Sequence, residues 1–137
     1  MLPQVLICLS AAIVFFLGTL HLVYTFASRK FSPRDAALEE RLKLVSPVIS
    51  KQTTMWKAWI GFNASHSLGA MLFGALYGYF AIWHFSLLAQ DRFLALTGAV
   101  FLSSFLVLAK RYWFNIPFAG VALSFVLYLA GFALTLV

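Results

Sequence analysis

A short polar segment, FNASHS at residues 62–67, interrupts a long apolar run and carries side chains that could do chemistry. It contains Asn63, His66 and Ser67, and a further histidine, His21, lies in an earlier apolar run. An imidazole can hydrogen-bond, transfer a proton or ligate a metal, and an amide can both donate and accept hydrogen bonds. Because polar side chains in a membrane-spanning segment indicate a functional site by default, these four residues are candidates for binding a ligand or cofactor.

Three serines in the later apolar runs, Ser103, Ser104 and Ser124, are further candidates. A catalytic dyad of His66 with Ser103 or Ser104 is possible because these residues lie at similar depth. A helix bundle with many serines often offers such a pair by chance, so the signal is weak. The apolar runs contain no Asp or Glu, so they lack the carboxylates of a zinc hydrolase or an ion relay. We therefore predict no metal site, and a catalytic role is less favoured than a binding role.

The composition identifies the class of protein that must position these side chains. The chain is 63% hydrophobic and 10% charged, whereas a soluble domain has roughly 25% charged residues. A membrane span needs about 20 apolar residues, and unpaired backbone cannot lie in lipid. We predict an all-α polytopic protein, a single membrane domain with a four-transmembrane-helix bundle. Its spans fall at about residues 3–28, 55–83, 92–110 and 116–137.

The distribution of positive charge predicts the topology. Seven Lys or Arg residues lie between Arg29 and Lys57, the third connection has Lys110 and Arg111, and the second has only Arg92. Because basic residues favour the cytoplasmic side, the loop at residues 29–54 is predicted to be cytoplasmic and both termini non-cytoplasmic. This bias accounts for the net charge of +6 without nucleic acid.

Basic residues beside the bilayer also predict contact with lipids. A cation near the surface attracts anionic headgroups by about 1 kcal/mol. The residues expected to face headgroups are Arg29, Lys30, Lys57, Lys110 and Arg111.

The cytoplasmic loop has local order of its own. Ser32 can cap a helix with Pro33 at its first position, and Leu38, Leu42 and Val45 recur on one face. The pattern predicts a short amphipathic helix at residues 33–45 on the inner membrane surface, with a solvated linker as the alternative. Residues 84–90 are expected to form an interfacial connection.

Depth and helical phase bring the candidates together. At 1.5 Å per residue, His21, Asn63 and His66 lie roughly 10 to 15 Å from the cytoplasmic surface, and the three serines lie at a similar level. On the second span Asn63 belongs to a stripe of small or polar residues that must face protein, namely Asn63, Ser67, Ala70, Gly74 and Gly78. The first two spans are predicted to be antiparallel neighbours that meet through His21, Asn63 and His66.

The same residues carry a resemblance to a family. His21, KFSPR at residues 30–34 and TMWKAWIGFNASHS at residues 54–67 resemble a group of small four-helix bacterial membrane proteins. The resemblance covers about the first 80 residues, and the group has no assigned activity. It implies a bacterial inner membrane and a functional interest in the Trp56–Trp59 and Asn63–Ser67 segments.

Several functions fit these observations. The polar residues could serve only as hydrogen-bonded contacts between helices, worth about 0.6 kcal/mol each. They could form a noncatalytic site for a lipid or ligand in a small membrane protein or an accessory subunit. The chain could act in a homo-oligomer or in a larger membrane complex, and the sequence does not decide between these. The alternative is haem b or a quinone held by His21 and His66, with Arg29, Lys30 and Lys57 near the propionates.

Overall fold

The computed structural model describes residues 1–136, which are helical over 81% of their length and contain no strand. An all-α fold is therefore confirmed. The helices, numbered in chain order, are α1 (Leu2–Ala27), α2 (Ala36–Leu44), α3 (Met55–Trp83), α4 (Phe85–Gln90), α5 (Arg92–Tyr112) and α6 (Asn115–Ala133).

Three helices among the described residues, α1, α5 and α6, are long and apolar enough to cross a membrane. They indicate a membrane protein. The longest helix, α3, has 29 residues but is not among these three. Its segment at residues 62–67 carries Asn63, His66 and two serines, which lower its mean hydropathy.

The chain divides into two compact units. The large unit comprises Met1–Leu17 and Ala70–Val137, and the small unit comprises Gly18–Gly69. Each of the helices α1 and α3 supplies residues to both units.

In the large unit, α1 and α3 approach each other closely at Gly74. A β-carbon on Gly74 would lie 2.6 Å from the β-carbon of Phe15 and 2.7 Å from the carbonyl oxygen of Ala11. Gly131 has the same role on α6, where a β-carbon would lie 2.7 Å from the Ile7 side chain of α1. Small residues thus allow these helices to approach closely, as the sequence predicts for Gly74.

The core of the large unit is aromatic. Tyr128 is fully buried and packs near Phe73 and Tyr77, whose rings stack with centroids 4.4 Å apart. The Tyr77 hydroxyl donates to the Leu94 carbonyl at 2.7 Å, and the Tyr128 hydroxyl donates to the Ala95 carbonyl at 2.9 Å. Two tyrosines therefore join α3 and α6 to the first turn of α5.

The end of α4 and the start of α5 meet at Asp91, the N-cap of α5. Its carboxylate accepts from the backbone N–H groups of Phe93 and Leu94 at 2.8 and 3.1 Å. This satisfies two of the N–H groups that a helix start leaves unpaired. The connection at residues 84–90 is thus mostly the short helix α4, whose Leu88 is fully buried.

In the small unit, the loop helix α2 begins later than predicted. Its N-cap is Asp35, whose carboxylate accepts from the N–H groups of Ala37 and Leu38, so the assignment of Ser32 as the cap is wrong. Ser32 instead closes a turn by donating its backbone N–H to the Arg29 carbonyl at 3.1 Å. Asp and Ser are comparable N-cap residues, so local preference alone does not choose between the two positions.

Ion pairs lie along α2 and connect it to the turn that precedes it. The Lys43 ammonium contacts the carboxylates of Glu39 at 2.9 Å and Glu40 at 2.7 Å, and Arg29 lies 3.5 Å from Glu39. The hydrogen bond from Lys43 lowers the pKa of Glu39 below its ordinary value. The stability that this pairing contributes is therefore present at neutral pH and lost as acid protonates Glu39.

Candidate functional site

The small unit brings together His21 of α1 with Asn63 and His66 of α3, as the sequence predicts. The Nε2 atom of His21 lies 2.9 Å from Oδ1 of Asn63, and the His21 and His66 ring centroids are 5.3 Å apart in an edge-to-face arrangement. Asn63 is buried, with 9% of its surface exposed, whereas both histidines are half-buried. The Asn63 amide is thus enclosed, whereas both imidazoles are partly exposed at the edge of the cluster.

The hydrogen bonds assign the proton positions in this cluster. The Nδ2 amino group of Asn63 donates to the Trp59 carbonyl at 2.8 Å, and a carbonyl can only accept. This fixes the orientation of the amide, so its Oδ1 atom must accept from His21. The Nε2 atom of His21 therefore carries a proton, and in the neutral ring Nδ1 is an acceptor.

Phe31 of the loop covers one side of His21. The two ring centroids are 4.4 Å apart, and the Phe31 carbonyl accepts the Trp59 indole N–H at 3.0 Å. The segment at residues 30–34 is therefore attached to both histidine-bearing helices of the small unit, through a ring contact and a hydrogen bond. Phe31 lies in the turn at residues 29–32, which precedes α2.

The predicted stripe on α3 is buried as the spacing requires. Asn63, Ser67, Ala70 and Gly74 are all buried, and Gly78 is half-buried. The Ser67 hydroxyl donates to the Asn63 carbonyl at 2.8 Å, within its own helix. Ser67 therefore stabilises the backbone next to the cluster. Its hydroxyl proton takes part in this hydrogen bond, so Ser67 does not donate to another group.

The three serine candidates of the later helices lie in the large unit and have their own partners. The hydroxyls of Ser103 and Ser104 both donate to the Val100 carbonyl of α5, at 3.0 and 2.8 Å. Ser124 is fully buried and donates to the Ser10 carbonyl at 3.0 Å, while the two hydroxyl oxygens lie 2.8 Å apart. Because a hydroxyl has one proton, Ser10 must donate in the second contact.

Sequence reasoning missed Ser10 and the tyrosines of the aromatic core. Ser10 lies eleven residues before His21, about three helical turns, so it shares a face with that histidine. This spacing is the feature of the sequence that could have identified Ser10 as a candidate. The partners of Tyr77 and Tyr128 are carbonyls in the first turn of another helix, which no spacing in the sequence indicates. Among residues 1–136 every buried side-chain nitrogen or oxygen has a hydrogen-bond partner.

The basic residues predicted to face headgroups differ in their contacts. In the small unit the Lys30 ammonium lies 3.8 Å above the Tyr24 ring, and the Arg29 side chain is 82% exposed although it contacts Glu39. Lys57 is exposed. In the large unit Lys110 lies 5.2 Å from the Phe118 ring centroid, and Arg111 is exposed. An ion pair as exposed as that of Arg29 is worth little, so this side chain remains available to other anions.

Together these features define a helical protein with three helices able to cross a membrane and a half-buried His–Asn–His cluster. Comparison with known proteins finds no matching protein-family model, curated protein or solved structure. Within residues 1–136 no group of three or more His, Cys, Asp or Glu side chains is placed to hold a metal ion.

Proposed function

We propose that the chain is a small noncatalytic membrane protein, or an accessory subunit of a membrane complex, that binds a lipid or small ligand at His21, Asn63 and His66. The observation that carries this proposal is the hydrogen bond from His21 to Asn63, 2.9 Å long, in otherwise apolar helices. The amide is enclosed but the imidazoles are half-buried, so the cluster can present polar ring atoms to a bound molecule. Polar side chains in hydrocarbon are costly, which favours a functional reason for their presence.

An anionic lipid headgroup is the ligand that the surrounding charges favour. The small unit has seven Lys or Arg and three Asp or Glu, a net charge of 7 − 3 = +4. Lys30 and the exposed Arg29 come within nine residues of His21 along the chain. A phosphate or other anionic headgroup would accept hydrogen bonds from these cations and gain about 1 kcal/mol for each cation near the surface.

The topology belongs to the same proposal. Counting α3 as a fourth span, the chain forms a four-transmembrane-helix bundle in a bacterial inner membrane with both termini on the non-cytoplasmic side. At 1.5 Å per residue the 29 residues of α3 extend about 43 Å, longer than the bilayer core. In this proposal the loop helix α2 is amphipathic and lies at the cytoplasmic surface.

Haem b or a quinone on the same histidines is a second candidate, favoured by the 5.3 Å approach of the two rings. Ligation of haem by both histidines requires a macrocycle between them and an unprotonated nitrogen on each ring. In the structure the two ring centroids are only 5.3 Å apart, which leaves no room for a macrocycle between the imidazoles. The residues do not fit a haem in this arrangement, which favours headgroup binding.

Analysis of the purified protein separates the two candidates. Native mass spectrometry should detect an anionic lipid retained by the wild-type protein, and His66→Ala should retain less of it because the variant loses one wall of the cluster. Ser65→Ala is the matched control, since Ser65 is an exposed neighbour on the same helix and should retain lipid normally. A Soret band that disappears in His21→Ala and His66→Ala would support haem instead. Protein without retained lipid or a Soret band would contradict both lipid binding and haem binding.

The proposed topology predicts which cysteines can be labelled from outside the cell. In a Cys8→Ser background, single cysteines at Gln90 and appended after Val137 should react with an impermeant maleimide in intact cells. A cysteine at Gln52 should react only after the cells are opened, because residues 29–54 lie in the cytoplasm. Labelling of Gln52 in intact cells would reverse the proposed orientation.

A further inference from the structure

Residues 46–54, SPVISKQTT, form a closed loop in the small unit. The backbone N–H of Met55 donates to the carbonyl oxygen of Val45 at 2.8 Å, so the two ends of the loop meet. Compact loops whose ends meet in this way are frequently functional. The contact also ties the base of this loop to the first residue of α3.

The tip of the loop has an unusual composition. The Ser50 N–H donates to the Pro47 carbonyl at 3.2 Å, which places Val48 and Ile49 at the two central positions of a turn. Turns favour Gly, Asn, Asp, Ser and Pro at such positions, whereas β-branched apolar residues favour strands. Both side chains are essentially fully exposed. Val48 and Ile49, the apolar tip, therefore stabilise neither the turn nor a core.

The charges around the apolar tip favour contact with an anionic surface. From residue 44 to residue 57 the chain carries two cations, Lys51 and Lys57, and no Asp or Glu, whereas Lys43 is paired with Glu39 and Glu40. Lys51 follows the tip by two residues, and Lys43 lies 5.7 Å from the centroid of the Trp56 ring at the start of α3. Exposed apolar side chains flanked by cations and a tryptophan are typical of a segment that binds the interface of an anionic bilayer.

We propose that residues 46–54 insert into the cytoplasmic leaflet, with Val48 and Ile49 among the acyl chains and Lys51 at the anionic phosphates. A protein partner is less favoured, because two adjacent side chains offer little area for a specific interface and a bilayer lies at the base of the loop. The inference rests on the proposed membrane placement, in which α3 begins at the cytoplasmic surface. The loop would then hold the histidine-bearing helices of the small unit at a fixed depth.

The depth of single labels tests this inference. In a Cys8→Ser background, cysteines at Val48, Ile49 and Gln52 are labelled with the fluorophore NBD. The proteins are reconstituted in vesicles of phosphatidylcholine and phosphatidylglycerol. Two quenchers are then compared: iodide, added to the water on both sides, and doxyl-labelled phosphatidylcholine, which lies in the bilayer. Gln52 is the matched control because it is exposed in the same loop. A fourth labelled cysteine, at Val126, an exposed residue of α6, reports whether the helices themselves lie in the bilayer.

Labels at Val48 and Ile49 should have blue-shifted emission, be protected from iodide and be quenched by doxyl lipid, whereas the label at Gln52 should be quenched by iodide. These differences should shrink in vesicles of phosphatidylcholine alone. Quenching of Val48 and Ile49 by iodide to the level of Gln52 would overturn the inference. Protection from both quenchers would also overturn it, since protein would then cover the tip. If the label at Val126 is not quenched by doxyl lipid, the membrane placement fails and this inference falls with it.

Discussion

Tyr128→Ala is expected to destabilise the large unit by about 3 to 5 kcal/mol, the range for removing a large aromatic side chain from a packed core. Tyr128 is 1% exposed and packs near Phe73 and Tyr77, with Phe132 at 4.8 Å between ring centroids. Truncation would leave a cavity that these rings cannot fill without moving. It would also remove the hydrogen bond to the Ala95 carbonyl. Denaturant unfolding in detergent, followed by circular dichroism, measures the loss.

Two variants separate the cavity from other causes. Tyr128→Phe keeps the ring and removes only the hydroxyl, so it should lose about 0.5 to 1.5 kcal/mol. Tyr79→Ala removes the same side chain from a position that is 52% exposed and should lose much less. Equal losses for Tyr79→Ala and Tyr128→Ala would contradict the packing described for the large unit.

Gly74→Ala should destabilise the protein by about 1 to 3 kcal/mol, because the added methyl group overpacks the contact between α1 and α3. The nearest obstacles include the Ala11 carbonyl oxygen at 2.7 Å and the Phe15 backbone nitrogen at 2.8 Å. Backbone atoms cannot rotate away as a side chain can, so the two helices must separate. Thermal unfolding in detergent, compared with the wild-type protein, gives the change in stability.

Gly61→Ala is the matched control on the same helix. A β-carbon at Gly61 would have no atom within 4 Å, and alanine favours a helix over glycine by about 0.8 to 1.0 kcal/mol. Gly61→Ala should therefore be neutral or stabilising. If Gly74→Ala is also neutral, the close approach of α1 and α3 in the large unit is wrong.

The parts of the fold that follow from helical spacing could be predicted from the sequence. Residues three or four apart lie on one face, so the burial of Asn63, Ser67 and Gly74 follows from their positions alone. The contact of His21 with Asn63 follows from the same spacing combined with depth from a charged end. Both rules need only the position of a residue along one helix or its depth below one membrane surface. A single sequence contains that information.

The contacts that could not be predicted depend on a second element. Ser32 and Asp35 are both good helix caps, and the sequence shows neither that Phe31 packs against His21 nor that the N-cap is Asp35. Ser124 has a buried partner in Ser10, which lies on another helix of the large unit. The sequence shows which face each residue occupies, but the pairing of two faces depends on packing between side chains.

The central claim is that His21, Asn63 and His66 form one coupled cluster, and a double-mutant cycle tests it most directly. His21→Ala and Asn63→Ala should each destabilise the protein in detergent by about 0.5 to 2 kcal/mol, while Ser65→Ala, exposed on the same helix, should change little. The double variant should lose less than the sum of the single variants, because the second substitution removes a partner already lost. Strictly additive losses, or no loss from either substitution, would contradict a coupled cluster.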